Sequence, residues 1–157
     1  MRRGKTIRRI AGRVVMSSLL CLGFWQFGQG AYIPAKAWVA QELMNRAWQR
    51  AEGGAGQPAP WPWADTWPVA KLSARQGDIE LIVLEGGSGR TLAFGPGHLS
   101  ISALPGQVGN SVIAGHRDTH FQFLQYLDVG DDLHVEMPDG DLHLYEVVHI
   151  VVVDSRR

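Results

Sequence analysis

The sequence is poor in cysteine: its 157 residues contain only one, Cys21. A single cysteine excludes an internal disulfide and any metal site built from several thiolates. Cys21 also lies in an uncharged apolar stretch, with no base or cation next to it in the sequence. It is therefore a poor candidate for a reactive thiol, since reactive cysteines need a neighbour that favours the thiolate.

The chain also lacks an excess charge, because 15 Lys and Arg residues balance 15 Asp and Glu residues. The balance hides an asymmetry: residues 1–13 carry six of the cations and no acid, so the rest of the chain is acidic. An acidic body lacks the basic surface that neutralises phosphates, which argues against nucleic acid as a partner. The content of 45% apolar and 19% charged residues is that of a globular protein and excludes overall disorder.

An uncharged apolar stretch, Val14–Ile33, follows the basic residues. As a helix, its length of about 30 Å matches the hydrocarbon core of a bilayer. We therefore predict a transmembrane signal-anchor at 14–33, with residues 1–13 as a cytoplasmic basic segment by the positive-inside rule. Two alternatives remain open: a buried core helix, and a signal peptide cleaved near Ala35-Lys36-Ala37, which resembles an A-x-A site.

Three further segments are predicted from composition. Residues 34–52 form an amphipathic helical stalk, whose apolar stripe comprises Trp38, Val39, Leu43, Ala47 and Trp48. Residues 53–68 form a linker rich in Pro and Trp, in which the Trp side chains act as packing anchors. Residues 69–157 form an all-β domain of short strands, at Val69–Leu72, Ile79–Leu84, Ser111–Ala114, Leu133–Met137 and Leu142–Val153. The turn Pro138–Asp141 predicts a hairpin between the last two strands.

His116 is the main candidate for chemistry, because it follows the strand Ser111–Ala114 directly after a glycine. Histidine changes charge near neutral pH and can act as a general acid and base. Two alternatives remain at this point. His116 could be a structural hydrogen-bonding residue, or it could join Asp118, His120 and His98 as metal ligands.

The segment around His116, P-G-Q-V-G-N-S-V-I-A-G-H-R-D-T-H-F, resembles the sortases, as do the later Gly130-Asp131 and Tyr145. The upstream W-P-W-A-D-T-W-P-V-A and G-R-T-L-A-F-G-P-G-H resemble the Gram-negative, or class GN, branch of that family. The resemblance implies a β-barrel cysteine transpeptidase anchored in the bacterial cytoplasmic (inner) membrane, with its β-domain in the periplasm. Its partner would be a protein with a carboxyl-terminal sorting motif, cleaved between Thr and Gly, and the acyl group would pass to an amine or water.

The resemblance assigns His116 as the general acid and base, by direct match to the motif. Arg117, Asp118 and His120 are neighbours without an assigned role, and neither a cofactor nor a metal is implied. The family's cysteine follows a T-L-x-T-C strand and its arginine lies further on, but residues 1–157 contain neither motif. The sequence therefore predicts a sortase-like β-barrel without its carboxyl-terminal strands, inactive as it stands.

Three functional interpretations follow. The first is an enzyme, a sortase whose nucleophile lies outside these residues. The second is a non-catalytic β-domain, a relic of a sortase that at most binds peptide. The third is a metal-dependent hydrolase that uses the His and Asp residues near His116.

Overall fold

The computed structural model describes residues 2–74 and 78–153. The chain divides into two compact units between Val39 and Ala40. Helix α1 runs from Arg2 to Glu52, so the first unit is helical. The second unit begins with the last turns of α1 and contains the strands.

The helix of the first unit does not meet the requirements of a membrane span. Among the described residues, no helical stretch has both the length and the hydropathy needed to cross a bilayer. The predicted transmembrane helix at Val14–Ile33 is therefore wrong. Ser17, Ser18 and Gln26 interrupt the apolar run, and polar groups are costly to transfer into hydrocarbon. The side chains of residues 1–12, on which the predicted basic segment depends, lie outside the described part of the chain.

The end of α1 packs through a face that matches the predicted stripe at Ala47 and Trp48 but not at its start. Its buried side chains are Ala40, Met44, Ala47, Trp48 and Ala51, which share one side of a helix. Trp38, by contrast, is 70% exposed. Ala47 lies nine positions after Trp38, which is about two and a half helical turns, so the two side chains are on opposite sides of the helix.

The second unit contains one six-stranded sheet. Its strands are β1 Pro68–Ala74, β2 Ile79–Glu85, β3 Gly97–His98, β4 Ile113–Ala114, β5 Asp132–Glu136 and β6 Leu142–Glu146. Their order across the sheet is β4-β3-β2-β1-β5-β6. Only the β2–β3 pair is parallel among these neighbours. The arrangement is a β half-barrel, which confirms the β-strand part of the predicted fold.

Strand β1 is the centre of the sheet, because it pairs with β2 on one side and β5 on the other. One extra residue between Pro68 and Ala70 forms a bulge against β2. The main core consists of buried apolar side chains of β1, of its two neighbouring strands and of the segment 123–127. They are Val69, Ala70, Leu72, Ala74, Val83, Phe123, Leu127 and Val135. The apolar residues that predicted the strands are thus also the residues that pack the core.

Two predicted strands are shorter in the structure. The strand before His116 comprises only Ile113–Ala114 instead of Ser111–Ala114. Strand β6 ends at Glu146, although the apolar run continues to Val153. Glu146 pairs with Asp132, the first residue of β5. Val147 still bonds the chain before β5, because its N–H donates to the Asp131 carbonyl and its carbonyl accepts the Gly130 N–H, both at 2.8 Å. Among the described residues, the apolar run beyond Val147 has no such backbone partner. Apolar sequence alone does not extend a strand without a neighbour to bond.

The predicted hairpin is confirmed, and two short helices lie between strands. Strands β5 and β6 pair in antiparallel register across the Pro138–Asp141 turn, where Gly140 has a φ of 88°. Residues Gln122–Tyr126 form a 3₁₀ helix. A second short helix, α2, spans Gly89–Leu92 in the connection from β2 to β3, and the Ser88 side chain caps its first turn.

The Pro- and Trp-rich segment packs through two of its three Trp side chains. The Trp61 ring lies edge-on to the Phe94 ring, with 4.8 Å between the ring centroids. Trp67 packs against the core of the sheet. Trp63 is 79% exposed and does not anchor the segment. The packing hypothesis therefore holds for Trp61 and Trp67 and fails for Trp63.

We expect Gly97→Ala to destabilise the second unit, because a Cβ at Gly97 would overlap the backbone carbonyl of Gly86. A backbone atom cannot move aside as a flexible side chain can, so the β2–β3 pair must separate. The expected loss is about 1–3 kcal/mol of unfolding free energy, measured by urea denaturation.

Gly89→Ala is the matched control for Gly97→Ala. A Cβ at Gly89 meets nothing within 4 Å, and alanine favours the helical conformation that Gly89 adopts in α2. Equal stabilities of the two variants would contradict the proposed backbone contact at Gly97.

Candidate active site

His116 lies at the end of β4, and its side chain is exposed. Its backbone carbonyl accepts hydrogen bonds from the Thr119 N–H at 3.2 Å and from the Phe121 N–H at 3.1 Å. These two bonds close the chain into a tight turn directly after the histidine. Within the described residues, the His116 ring makes no side-chain hydrogen bond, which leaves its two nitrogens open to solvent or to a substrate.

Gly115, just before His116, is in close contact with the Phe121 ring. A Cβ at position 115 would lie 2.7 Å from Phe121 Cδ2 and 2.9 Å from Cε2. Any larger residue would collide with the ring, so the turn can return beneath His116 only because residue 115 is a glycine. The glycine that marked His116 in the sequence thus has a packing role.

His120 is half-buried and lies on the same turn as His116. Burial lowers the pKa of His120 below its usual value of 6.5, and the positive charge of His116 lowers it further. A hydrogen bond with the Phe94 backbone acts in the opposite direction. His120 is therefore neutral at physiological pH. Its Nδ1 lies 3.4 Å from the Thr119 hydroxyl.

Arg117 and Asp118, which lie between His116 and Thr119 in the sequence, point into solvent. Arg117 Nε lies 3.4 Å from Asp118 Oδ1, and both side chains are 87% exposed. An ion pair in this position contributes little to stability. Neither side chain is held in a fixed position by a buried partner, so the structure gives them no role beyond the surface of the turn.

The four residues considered as metal ligands do not assemble. His98 is buried in β3, and its Nε2–H donates to the Ala103 carbonyl at 2.9 Å, while Nδ1 lies 3.4 Å from a Glu85 carboxylate oxygen. No group of three His, Cys, Asp or Glu side chains suited to a metal ion occurs in the part of the chain that the structure describes. The described residues therefore give the metal-hydrolase hypothesis no support.

His98 instead organises the loop that leads to β4. The Ser102 hydroxyl lies 3.1 Å from His98 Nε2 and donates to the Leu99 carbonyl at 2.7 Å. The same oxygen accepts the Val112 N–H at 3.1 Å. This network joins both ends of the loop, so a buried histidine positions the strand that carries His116.

Two cavities adjoin the turn after His116. A cleft of about 640 Å³ has a mixed lining, of the polar Asp78, Glu80, Thr119, His120, Gln122 and Tyr126 and the apolar Ile79, Leu81 and Phe123. An apolar groove of about 290 Å³ is lined by Leu72, Pro105, Ile113, Phe121, Leu124, Leu133, Val135 and Tyr145. The turn therefore carries residues that face a cleft of mixed polarity and residues that face an apolar groove.

One end of the apolar groove is fixed by a contact between two residues that are far apart in the sequence. The Gly106 N–H donates to the Tyr145 hydroxyl at 2.8 Å, and Gly106 has a φ of 81°. A Cβ at this position would overlap the His143 ring. The loop before β4 is thus held against β6, and glycine satisfies both the close approach and the left-handed conformation.

Sequence reasoning identified His116 and the segment around it but missed the contacts of Phe121 and Gly106. The contact between Gly115 and Phe121 has a local signal, a glycine and an aromatic residue on either side of a tight turn. The contact between Gly106 and Tyr145 joins residues 39 positions apart. Such a pair has no local signal in a single sequence.

Comparisons with known proteins agree on one family. A family model described as "Sortase domain" matches residues 72–157. Sortase D of Bacillus subtilis (strain 168) is 37% identical over 78 residues, which are 50% of this chain and 39% of that protein. The structure of the Sortase D5 transpeptidase of Clostridium perfringens superposes with a TM-score of 0.52 and 28% identity, covering 57% of each chain. The chain thus spans well under two thirds of these relatives.

We expect the burial of His120 to make the folded protein less stable in acid. The pKa of His120 is lowered in the folded state, whereas in the unfolded chain it returns to about 6.5. As the pH falls below about 7.5, the unfolded state takes up the proton first, and stability is lost. Urea midpoints measured between about pH 7.5 and 5.5 should therefore fall more steeply for the wild type than for His120→Gln.

His149→Gln is the matched control, because His149 is exposed. It should show the pH dependence of the wild type. If His120→Gln also follows the wild-type curve, then burial of His120 is not linked to stability.

Proposed function

Because the chain belongs to the sortase family, we propose that it serves cysteine transpeptidation, with His116 as the general acid and base. The substrate is a protein with a carboxyl-terminal sorting motif, which is cleaved between Thr and Gly. The observation that carries this proposal is the exposed His116 ring, held by a closed turn at the end of β4. A ring with both nitrogens open can give up a proton and take one back.

The reaction requires two proton transfers at His116. A cysteine thiolate attacks the Thr carbonyl carbon, and the Thr–Gly bond breaks while protonated His116 gives its proton to the leaving amine. The product is a thioester between the cysteine and the target protein. Neutral His116 then takes a proton from the incoming amine or water, which attacks the thioester and regenerates the thiolate.

The thiol for this reaction is not contributed by the residues around His116. Cys21 is the only cysteine in residues 1–157, and it does not match the T-L-x-T-C motif of the family. We therefore infer that the 157-residue chain by itself does not cleave sorting peptides. Activity requires a strand bearing that cysteine.

The surroundings of His116 suit a peptide substrate. The apolar groove of about 290 Å³ is lined by side chains such as Ile113, Phe121 and Tyr145. Apolar side chains of an extended peptide lose contact with water in such a groove. The exposed polar residues of the turn, including Thr119, can meet the peptide backbone.

The test uses a version of the chain extended with the cysteine-bearing strands of a related sortase. This version should release the segment after Thr from a sorting peptide, as detected by mass spectrometry. His116→Ala should lower the rate about 10²–10⁴-fold, because proton transfer to the leaving amine is lost. His149→Ala, which removes an exposed histidine, should retain the rate.

Other outcomes distinguish the remaining hypotheses. An extended version that binds the peptide but never cleaves it would favour a non-catalytic peptide-binding domain. Equal and complete losses for His116→Ala and His120→Ala, together with loss of activity in a chelator, would favour a metal-dependent hydrolase. Cleavage by the unextended chain would contradict the requirement for a downstream cysteine.

A further inference from the structure

Phe121 is the residue that contacts the chain on both sides of His116. Its N–H donates to the His116 carbonyl at 3.1 Å. Its ring covers Gly115 so closely that a Cβ there would lie 2.7 Å from ring atom Cδ2. Backbone and side chain of one residue therefore hold the peptide units before and after His116.

The Phe121 ring is half-buried and packs on one side against the core. It meets the Phe123 ring edge-on, with 6.1 Å between the ring centroids, and Phe123 is a buried core residue that is 6% exposed. Another part of the Phe121 ring lines the apolar groove. A packed aromatic ring shifts toward the core only if its neighbours shift too, so the core sets the position of the ring on the Phe123 side.

We propose that Phe121 is a positioning residue that fixes the location of the His116 ring by packing against Gly115. This role rests on the proposed function of His116 as the acid and base. The carbonyl of His116 and the α-carbon of Gly115 both contact Phe121, which ties the backbone on either side of the His116 side chain to one residue. The His116 side chain is otherwise exposed and makes no hydrogen bond among the described residues, so its backbone determines where it points.

Two substitutions test the contact from opposite sides. Gly115→Ala adds a methyl group that collides with the confined ring. Phe121→Leu removes the ring and leaves room for that methyl group. The double variant should therefore be closer to the wild type than Gly115→Ala alone, because the contact that causes the collision is gone.

The first readout needs no activity and uses the full 157-residue chain. The Cε1–Hε1 NMR signal of His116, assigned through His116→Gln, should move in Gly115→Ala and in Phe121→Leu. It should return toward its wild-type position in the double variant. Val129→Ala is the matched control, because Val129 follows the 3₁₀ helix Gln122–Tyr126 but is 64% exposed and is not among the contacts of Gly115; its His116 signal should not move.

The second readout is kinetic and uses the extended version. Gly115→Ala should lower kcat about 10–100-fold while KM changes less than about threefold, because a displaced acid and base slows the chemical step and not binding. Adding Phe121→Leu should restore about tenfold of that loss. Val129→Ala, at an exposed residue that lines neither cavity, should leave kcat unchanged.

The proposal is overturned if the His116 signal stays in place in Phe121→Leu while only the thermal midpoint falls, since Phe121 would then be a packing residue alone. It is also overturned if the effects of the two substitutions add without recovery. If Gly115→Ala does not fold, the His116 NMR signal of Phe121→Leu alone decides whether the proposal stands. If the His116 signal responds as expected but the extended wild type never cleaves peptide, the proposed function fails and the positioning by Phe121 stands.

Discussion

The close approach of two backbones, at Gly86 and Gly97, is the contact on which the rest of the site depends. Gly86 donates its N–H to the His98 carbonyl at 2.8 Å, and a side chain at Gly97 would overlap the Gly86 carbonyl. This contact brings β3 against β2 in the only parallel pairing among the described strands. Strand β4, which leads to His116, joins the sheet only through β3. The central core of β1, β2 and β5 can form without this approach, but the histidine reaches the sheet through it.

Histidines that look alike in the sequence differ in burial in the structure. His98 is 2% exposed and holds the loop before β4 through Ser102 and Ala103. His116 is exposed at the end of that strand, and His120 is half-buried beside it. Proton transfer needs a ring that is open to its substrate, whereas a structural ring needs its hydrogen bonds satisfied inside the protein. The fold therefore separates a buried, hydrogen-bonded histidine from an exposed one by 18 residues and one short strand.

Local patterns predicted the parts of the fold that depend on neighbouring residues. The hairpin at Pro138–Asp141, the strand at Ile79 and the position of His116 follow from turn residues, β-branched runs and a long motif. The membrane span was wrong, because length and absence of charge were weighed above the polar Ser17, Ser18 and Gln26. The helical stripe was right at Ala47 and Trp48 but wrong at Trp38 and Val39, because apolar character alone does not give the angles between side chains around a helix. The end of β6 and the contact of Gly106 with Tyr145 depend on partners distant in the sequence, which no local pattern records.

The brevity of β3 and β4, two residues each, has a consequence for the motions of this protein. Strands β1 and β2 hold six paired positions, whereas β3 and β4 hold two. Segments with few backbone bonds open locally at a small fraction of the free energy of global unfolding. We therefore expect the amide protons of β3 and β4 to exchange with solvent while those of β1 remain protected.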